Sequence, residues 1–272
     1  MWTVFAHVKG ASPAVAVVSS IVSKWKPIGL FVLVLLLMGA AGWHRLRRPE
    51  TTAAMHGRDI ARRMGCFACH GEEGTGGVPT IGSTGKTMPG WDHATAVMYI
   101  QGDQEIREWI LYGAPLAKSP TAALAGPDGL VPMPAYEGLL TDRELHDLVA
   151  YFRAVSWWTP DIPGAAYAGR KTASRLGCFG CHGPSGIGGV PNPGSLKGHI
   201  PPWDGEEFEE LVRNEEELRE WIMDGHIRRL QDNPFARHFL EGQKTQMPAY
   251  RGHISGEDLD AMVAFIQWLR EQ

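Results

Sequence analysis

The chain carries one pattern twice, and that repetition limits its architecture more than any other feature. Arg63-Met64-Gly65-Cys66-Phe67 returns as Arg175-Leu176-Gly177-Cys178-Phe179, and the same shift carries Gly76-Gly77-Val78-Pro79 onto Gly188-Gly189-Val190-Pro191. Pro89-Gly90-Trp91-Asp92 meets Pro201-Pro202-Trp203-Asp204, and Glu105 to Ile110 meets Glu217 to Ile222. After a small length difference Met133-Pro134-Ala135-Tyr136 meets Met247-Pro248-Ala249-Tyr250. A unit of about a hundred residues is a comfortable domain size. The expected division is an N-terminal segment over 1–50, one domain over 51–156, a linker over 157–164 and a second domain over 165–272. Pro160 and Pro163 break helix in that linker.

Each unit reads as mainly α. A first helix is expected from Thr52 to Cys69, and again from Ala165 to Cys181. Gly/Pro-rich loops follow, Gly74 to Gly90 and Gly186 to Pro202, with no periodic pattern. Amphipathic helices then include Glu105 to Leu111 and Glu206 to Met223. The closing helices start at the capping-box sequences Thr141-Asp142-Arg143-Glu144 and Ser255-Gly256-Glu257-Asp258, and bury Leu145, Leu148 and Phe152, or Leu259, Met262 and Ile266.

All four cysteines fall in Cys66-Phe67-Ala68-Cys69-His70 and Cys178-Phe179-Gly180-Cys181-His182, which leaves none for a disulfide. C-x-x-C-H is the attachment sequence of c-type haem: two thioethers to the porphyrin edge and an adjacent imidazole on the iron. Cysteines three apart share one side of a helical turn, so the next residue can point at the metal. A zinc site would need the two pairs together, and they lie more than a hundred residues apart, each with its own histidine. A thioredoxin-type thiol pair would need a strand and helix context that is absent from the pattern.

A sixth ligand has to come from the other side of the haem. Met133 and Met247 recur at matching places before the closing helix, whereas Met88 and Met223 have no counterpart in the other unit. His199, His226 and His238 are rivals for the second iron. Each unit resembles a class I cytochrome c domain in its early C-x-x-C-H, its later Met-Pro and its closing helix. That resemblance covers nearly everything after residue 50. It implies two covalently bound haems c with His70 and Met133, and His182 and Met247, as axial pairs. By the same analogy the carbonyl of Pro79 or Pro191 orients the proximal histidine. Trp91 and Trp203 are expected either at the haem edge, donating to a propionate, or as plain core residues.

Ile28 to Trp43 contains no charge and opens on the most apolar run of the chain, Leu30 to Met38. With Trp25 and Trp43 as interfacial aromatics and Lys26 able to snorkel, it reads as a retained membrane anchor, the alternative being a cleaved signal peptide. The apolar stretch Ala11 to Ser23 either extends that helix or lies along the membrane surface. Lys9, Lys24 and Lys26 before it and Arg45, Arg47 and Arg48 after it give no orientation. The resemblance does: haem of this type is attached outside the cytoplasm, which implies a single-pass protein of a bacterial inner membrane with its haem domains on the periplasmic side.

A net charge of −4, with no long stripe of arginines and lysines, gives no sign of nucleic acid as partner. Histidine below and methionine above leave iron no open position, so the expected role is electron relay and not catalysis. The resemblance to cytochrome c subunits implies a cytochrome b/Rieske-type quinol-oxidising complex or an oxidase as partner. The alternative is a dihaem enzyme such as a cytochrome c peroxidase or thiosulfate dehydrogenase, which would keep one iron accessible. Glutamates at 206, 207, 209, 210, 215, 216, 217 and 220 offer either a docking patch for a basic partner or a helix face with internal pairs, Glu209 with Arg213 and Glu215 with Arg219.

Overall fold

A computed structural model of the chain describes residues 13–79, 87–116, 132–157, 159 and 161–271, with side chains from residue 29 onward. It divides into two units, Met1–Arg48 and Pro49–Gln272. Lys9, the side chains of Lys24, Trp25 and Lys26, and Pro160 lie outside the described set.

In the first unit, helix α1 runs Pro13–Arg47. Its span Gly29–Arg47, 19 residues of mean hydropathy 1.6, has none of its length buried in protein. Nineteen residues rise about 28 Å, close to the thickness of a bilayer's hydrocarbon core. Leu30 to Met38 all stand exposed, a row of large apolar side chains that water would not tolerate and lipid would. His44, Arg45 and Arg47 close the helix, complementing its dipole, and the Arg47 guanidinium lies 5.5 Å from the Trp43 ring centre.

The second unit holds both repeats. In the first repeat, α2 (Ala53–Arg63) starts at Thr52, whose hydroxyl accepts the Met55 N–H. It stops short of the expected continuous helix, because Gly65 turns left-handed (φ 77°) before a four-residue helix, α3 (Phe67–His70). Next come α4 (His93–Tyr99), α5 (Asp103–Tyr112) and the closing helix α6 (Asp142–Ser156). The second repeat has α7 (Gly164–Arg175), broken likewise at Gly177 (φ 76°), then α8 (Phe179–His182), α9 (Glu206–Leu211) and α10 (Glu215–Asp224). The single helix expected from Glu206 to Met223 is thus two. Asn214 is extended and its side chain accepts the Glu217 N–H, which caps a new start. Two helices, α11 (Arg228–Gln231) and α12 (Pro234–Gly242), precede the closing α13 (Gly256–Arg270). Isolated antiparallel bridges, Pro79 with Thr87 and Pro191 with His199, are the β pairing among the described residues.

The core of each repeat is a crossing of its first and last helices. A Cβ on Gly57 of α2 would lie 1.9 Å from the Asp147 carbonyl oxygen of α6, and one on Gly169 of α7 would lie 1.8 Å from that of Ala261 in α13. Around the first crossing Ile60, Ala61, Leu148 and Tyr151 are buried; around the second, Ala173, Met262, Val263, Phe265 and Ile266. Thr141 and Glu144 form the full reciprocal capping box of α6. At α13 only half forms: Ser255 accepts the Asp258 N–H, while the Asp258 carboxylate accepts from Thr172 (2.7 Å) and pairs with Arg175 (3.0 Å).

The glutamate-rich stretch is largely paired. Arg219 meets Glu215 (2.8 Å), Arg229 meets Glu217 (2.7 Å), Arg228 meets Glu220 (3.1 Å) and Lys197 meets Glu210 (2.9 Å). Glu209 pairs with Arg270 (2.8 Å) and not with Arg213. This is the paired helix face, with the glutamate charge largely compensated by neighbours.

Glu207 is the buried member of this stretch. The Glu50 carboxylate accepts the N–H groups of Glu206 and Glu207 (both 2.8 Å), and Glu207 in return accepts the Glu50 N–H. His199 Nε2 stands 3.1 Å and Lys197 Nζ 3.3 Å from the Glu207 carboxylate. Burial raises the Glu207 pKa, but His199 and the Glu50 N–H outweigh that and hold it below the ordinary glutamate value. Glu207 in turn raises His199. Stabilisation from the lowered Glu207 is lost as pH falls through its folded pKa. That from the raised His199 is complete below its unfolded pKa and is lost as pH rises through the folded one. Glu207→Gln is therefore expected to cost about 2 kcal/mol in urea unfolding at about pH 5.5. The loss should shrink at about pH 9; an equal loss at both would contradict the pairing.

Candidate functional site

The haem-attachment segments are built the same way in both repeats. Left-handed Gly65 lets the Cys66 N–H reach back to the Ala61 carbonyl (3.0 Å), and the His70 N–H then bonds to the Cys66 carbonyl (3.0 Å). The second repeat repeats both bonds, Cys178 to Ala173 (3.0 Å) and His182 to Cys178 (2.9 Å). One helical turn thus gathers Cys66, Cys69 and His70, and another gathers Cys178, Cys181 and His182. After the first histidine the chain must turn sharply: a Cβ on Gly71 (φ 80°) would lie 1.5 Å from the Gly76 carbonyl oxygen.

His70 Nδ1 donates to the Pro89 carbonyl at 2.7 Å. The carbonyl that orients this histidine is therefore that of Pro89 and not that of Pro79. The bond fixes the proton on Nδ1 and leaves the Nε2 lone pair for a metal. Burial lowers the His70 pKa, against the opposing pull of that carbonyl, so the ring is held in its neutral, ligating form. At His182, burial pushes the pKa down to about 4. There the contact at Nδ1 comes from the Trp203 indole N–H, at 2.9 Å, and not from Pro191. The two histidines therefore have different partners.

Trp91 and Trp203 pack beside these rings, with centroids 5.2 Å from His70 and 4.9 Å from His182. Gly74 and Gly186 admit them, since a Cβ at either would lie 2.3 Å from the indole. Their place is between the histidine ring and the core, where they also meet Phe67 and Phe179.

The methionine segment is clipped to the middle helix. Gly113 and Gly225 end α5 and α10 in left-handed conformation, and a Cβ on either would lie 2.3 Å from the carbonyl oxygen of Met133 or Met247. Tyr136 and Tyr250 donate their backbone N–H to Ile110 and Ile222, both at 3.2 Å. Their phenol groups reach the carbonyls of Met64 (3.3 Å) and Leu176 (3.2 Å), just before the attachment segments. These tyrosines join the methionine strand to the cysteine turn. Sequence reasoning assigned them no role, although their recurrence in Met-Pro-Ala-Tyr was in view.

In the first repeat these parts enclose an apolar cleft of about 480 Å³ with Cys66, His70, Trp91, Ile106, Met133 and Leu148 on its walls. Met88 also lines it, next to Pro89, whose carbonyl holds His70 Nδ1. Met133 lines the cleft from the segment clipped to α5. In the second repeat Met247 packs on the core that contains Cys178 and Trp203. Of its rivals, His226 and His238 are exposed, and His199 is engaged with Glu207 and the Lys197 carbonyl.

The residues present fit a haem. The cleft is apolar, as the macrocycle's faces require, and it brings thiol, imidazole and thioether to one space. The buried Trp109 Nε1, on its wall, has no hydrogen-bond partner, a donor that a propionate would satisfy.

Comparison with known proteins agrees. Residues 54–156 match the cytochrome c family, and residues 164–266 match the family described as cytochrome c oxidase, cbb3-type, subunit III. No curated protein matches the chain. Among solved structures, a chain of the Kuenenia stuttgartiensis reducing HAO-like protein complex is 16% identical over 81% of this chain and 97% of that one, with a TM-score of 0.27. A score that low carries no structural argument. Two family matches, one on each repeat, place the chain in the cytochrome c family: it is a dihaem c-type cytochrome of two tandem cytochrome c domains, each with one covalently bound haem c, behind an N-terminal apolar helix.

Proposed function

We propose that the chain is a membrane-anchored electron relay on the periplasmic face of a bacterial inner membrane, working as a subunit that accepts electrons from a bc-type quinol-oxidising complex. The observation that carries this reading is the pairing of His70 and Met133 on the walls of one apolar cleft, with His182 and Met247 at the matching sequence positions of the second repeat. Haem iron supplies the one-electron change of valence. The chain's residues would do the rest: Cys66, Cys69, Cys178 and Cys181 would hold the macrocycles, and His70 and His182 with Met133 and Met247 would hold the irons, the thioethers raising the potential. With both faces taken, oxygen, peroxide and nitrite find no iron position, which weighs against a peroxidase or dehydrogenase.

A second partner is favoured by one finding. The family matched by residues 164–266 is described by a cbb3-type oxidase subunit, so a terminal oxidase is the other complex in which this chain would sit. The test is quinol-driven reduction in native membranes. Reduction of both haems by quinol, abolished by an inhibitor of the bc-type quinol site, is expected. Co-purification with an oxidase and insensitivity to that inhibitor would move the chain to the oxidase.

A further inference from the structure

The two haem domains are not beads on a string, and the turn that follows the second attachment segment shows why. At matching places the first repeat has Glu73 and Thr75, with Thr75 exposed, while the second has Ser185 and Ile187. Ile187 is 3% exposed and belongs to the core of the first domain, among Ala54, Ile60, Leu148 and Val155. Ser185 donates to the Ala154 carbonyl of α6 at 2.9 Å. The first domain therefore forms the floor on which the second haem's attachment turn rests.

Trp157 completes that floor. It caps α6 in the left-handed region (φ 59°, ψ 31°), where glycine is the usual residue and a bulky side chain is strained. The matching Glu271 at the end of α13 is ordinary right-handed backbone. The strained position turns the indole onto Phe179, inside the second C-x-x-C-H, at a ring separation of 5.9 Å. The buried guanidinium of Arg170 covers the indole at 3.8 Å. A strained residue held between two packed groups marks a position where the ring is what matters.

We propose that Trp157 is a positioning residue for electron exchange between the two haems: it locks the second attachment segment onto the first domain, and so sets both the exchange rate and the second haem's environment. The exchange moves one electron from a ferrous to a ferric iron, with no bond made or broken and no proton required. This rests on the relay reading above.

The experiment uses the full-length haem-loaded protein in detergent, following redistribution of an electron between the haems after flash photoreduction, with the two told apart by their potentials. In Trp157→Asn, which keeps a side chain that tolerates left-handed backbone, redistribution should slow several-fold. The second haem's potential should shift while the first stays put, and both methionine near-infrared bands should persist. Trp157→Phe should restore most of the rate. If Trp157→Asn fails to retain haem, Phe179→Leu removes the same ring contact from the other side and should show the same slowing. Wild-type rate and unchanged potentials in the variant that loads would overturn the proposal. A wild-type protein whose haems never exchange electrons would instead remove the relay reading itself.

Discussion

Replacing Met133 by alanine is expected to abolish one of two methionine near-infrared bands, to open the first iron to carbon monoxide, and to lower that haem's potential sharply. Axial ligation controls a span of roughly 0.8 V across haem proteins, and exchanging a thioether for water or a stray nitrogen ligand uses a sizeable part of it. The effect should stay local. Met133 lies on a segment fixed by the backbone bonds of Tyr136 and Glu137 to α5, so the strand should hold while the ligand alone is lost. Met247→Ala should do the same to the second haem. The readout is a carbon monoxide difference spectrum with a potentiometric titration. Two unaltered potentials and no carbon monoxide binding would assign the sixth ligand elsewhere, with Met88 the first residue to examine at the first haem.

Gly57→Ala should unfold the first haem domain well below the wild-type temperature, against what helix propensity alone predicts. In a free helix interior this change is worth about 1 kcal/mol in favour of alanine. Here the added carbon would lie 1.9 Å from a main-chain oxygen of the crossing helix, and backbone cannot swing aside as a side-chain tip can. Separating the two helices would loosen Ile60, Leu148 and Tyr151 together, so the net loss should reach about 3 kcal/mol. Gly169→Ala should act equally on the second domain. Gly256, at the first turn of α13 with open space where a Cβ would go, is the control: alanine there should be neutral or slightly stabilising. A thermal melt followed at the haem bands decides it, and a raised melting temperature for Gly57→Ala would show that the crossing is looser than the geometry states.

The repeat made much of this legible before any coordinates. Helical content, the haem attachment and the closing helices with their caps all follow from residue spacing and from chemistry local in sequence. What escaped were contacts whose partners lie far along the chain. That Pro89 and not Pro79 holds His70 depends on how a loop folds back, and no periodicity encodes that. The helix break at Gly65 is not encoded by the pattern, because a single glycine inside a helical run is tolerated. Gly57 and Gly169 stand at equivalent places in two amphipathic helices, a sign of close approach that comparing the repeats would have exposed. The pairing of Glu209 with Arg270 instead of Arg213 shows the limit of helix-spacing rules once a second helix supplies a better-placed cation. The differences between the repeats were as informative as their likeness: Ile187 against Thr75 is an apolar residue where its twin is polar, and it marks the buried face of the second domain.

Both irons, as proposed, are closed by histidine and methionine. The most direct measurement is the near-infrared absorption of the oxidised, detergent-extracted protein, quantified per haem and repeated on the reduced protein under carbon monoxide. The expected result is the full methionine band for two haems and no spectral change with carbon monoxide. Half the band, or a haem that takes up carbon monoxide in the wild-type protein, would contradict it and make this chain a candidate redox enzyme.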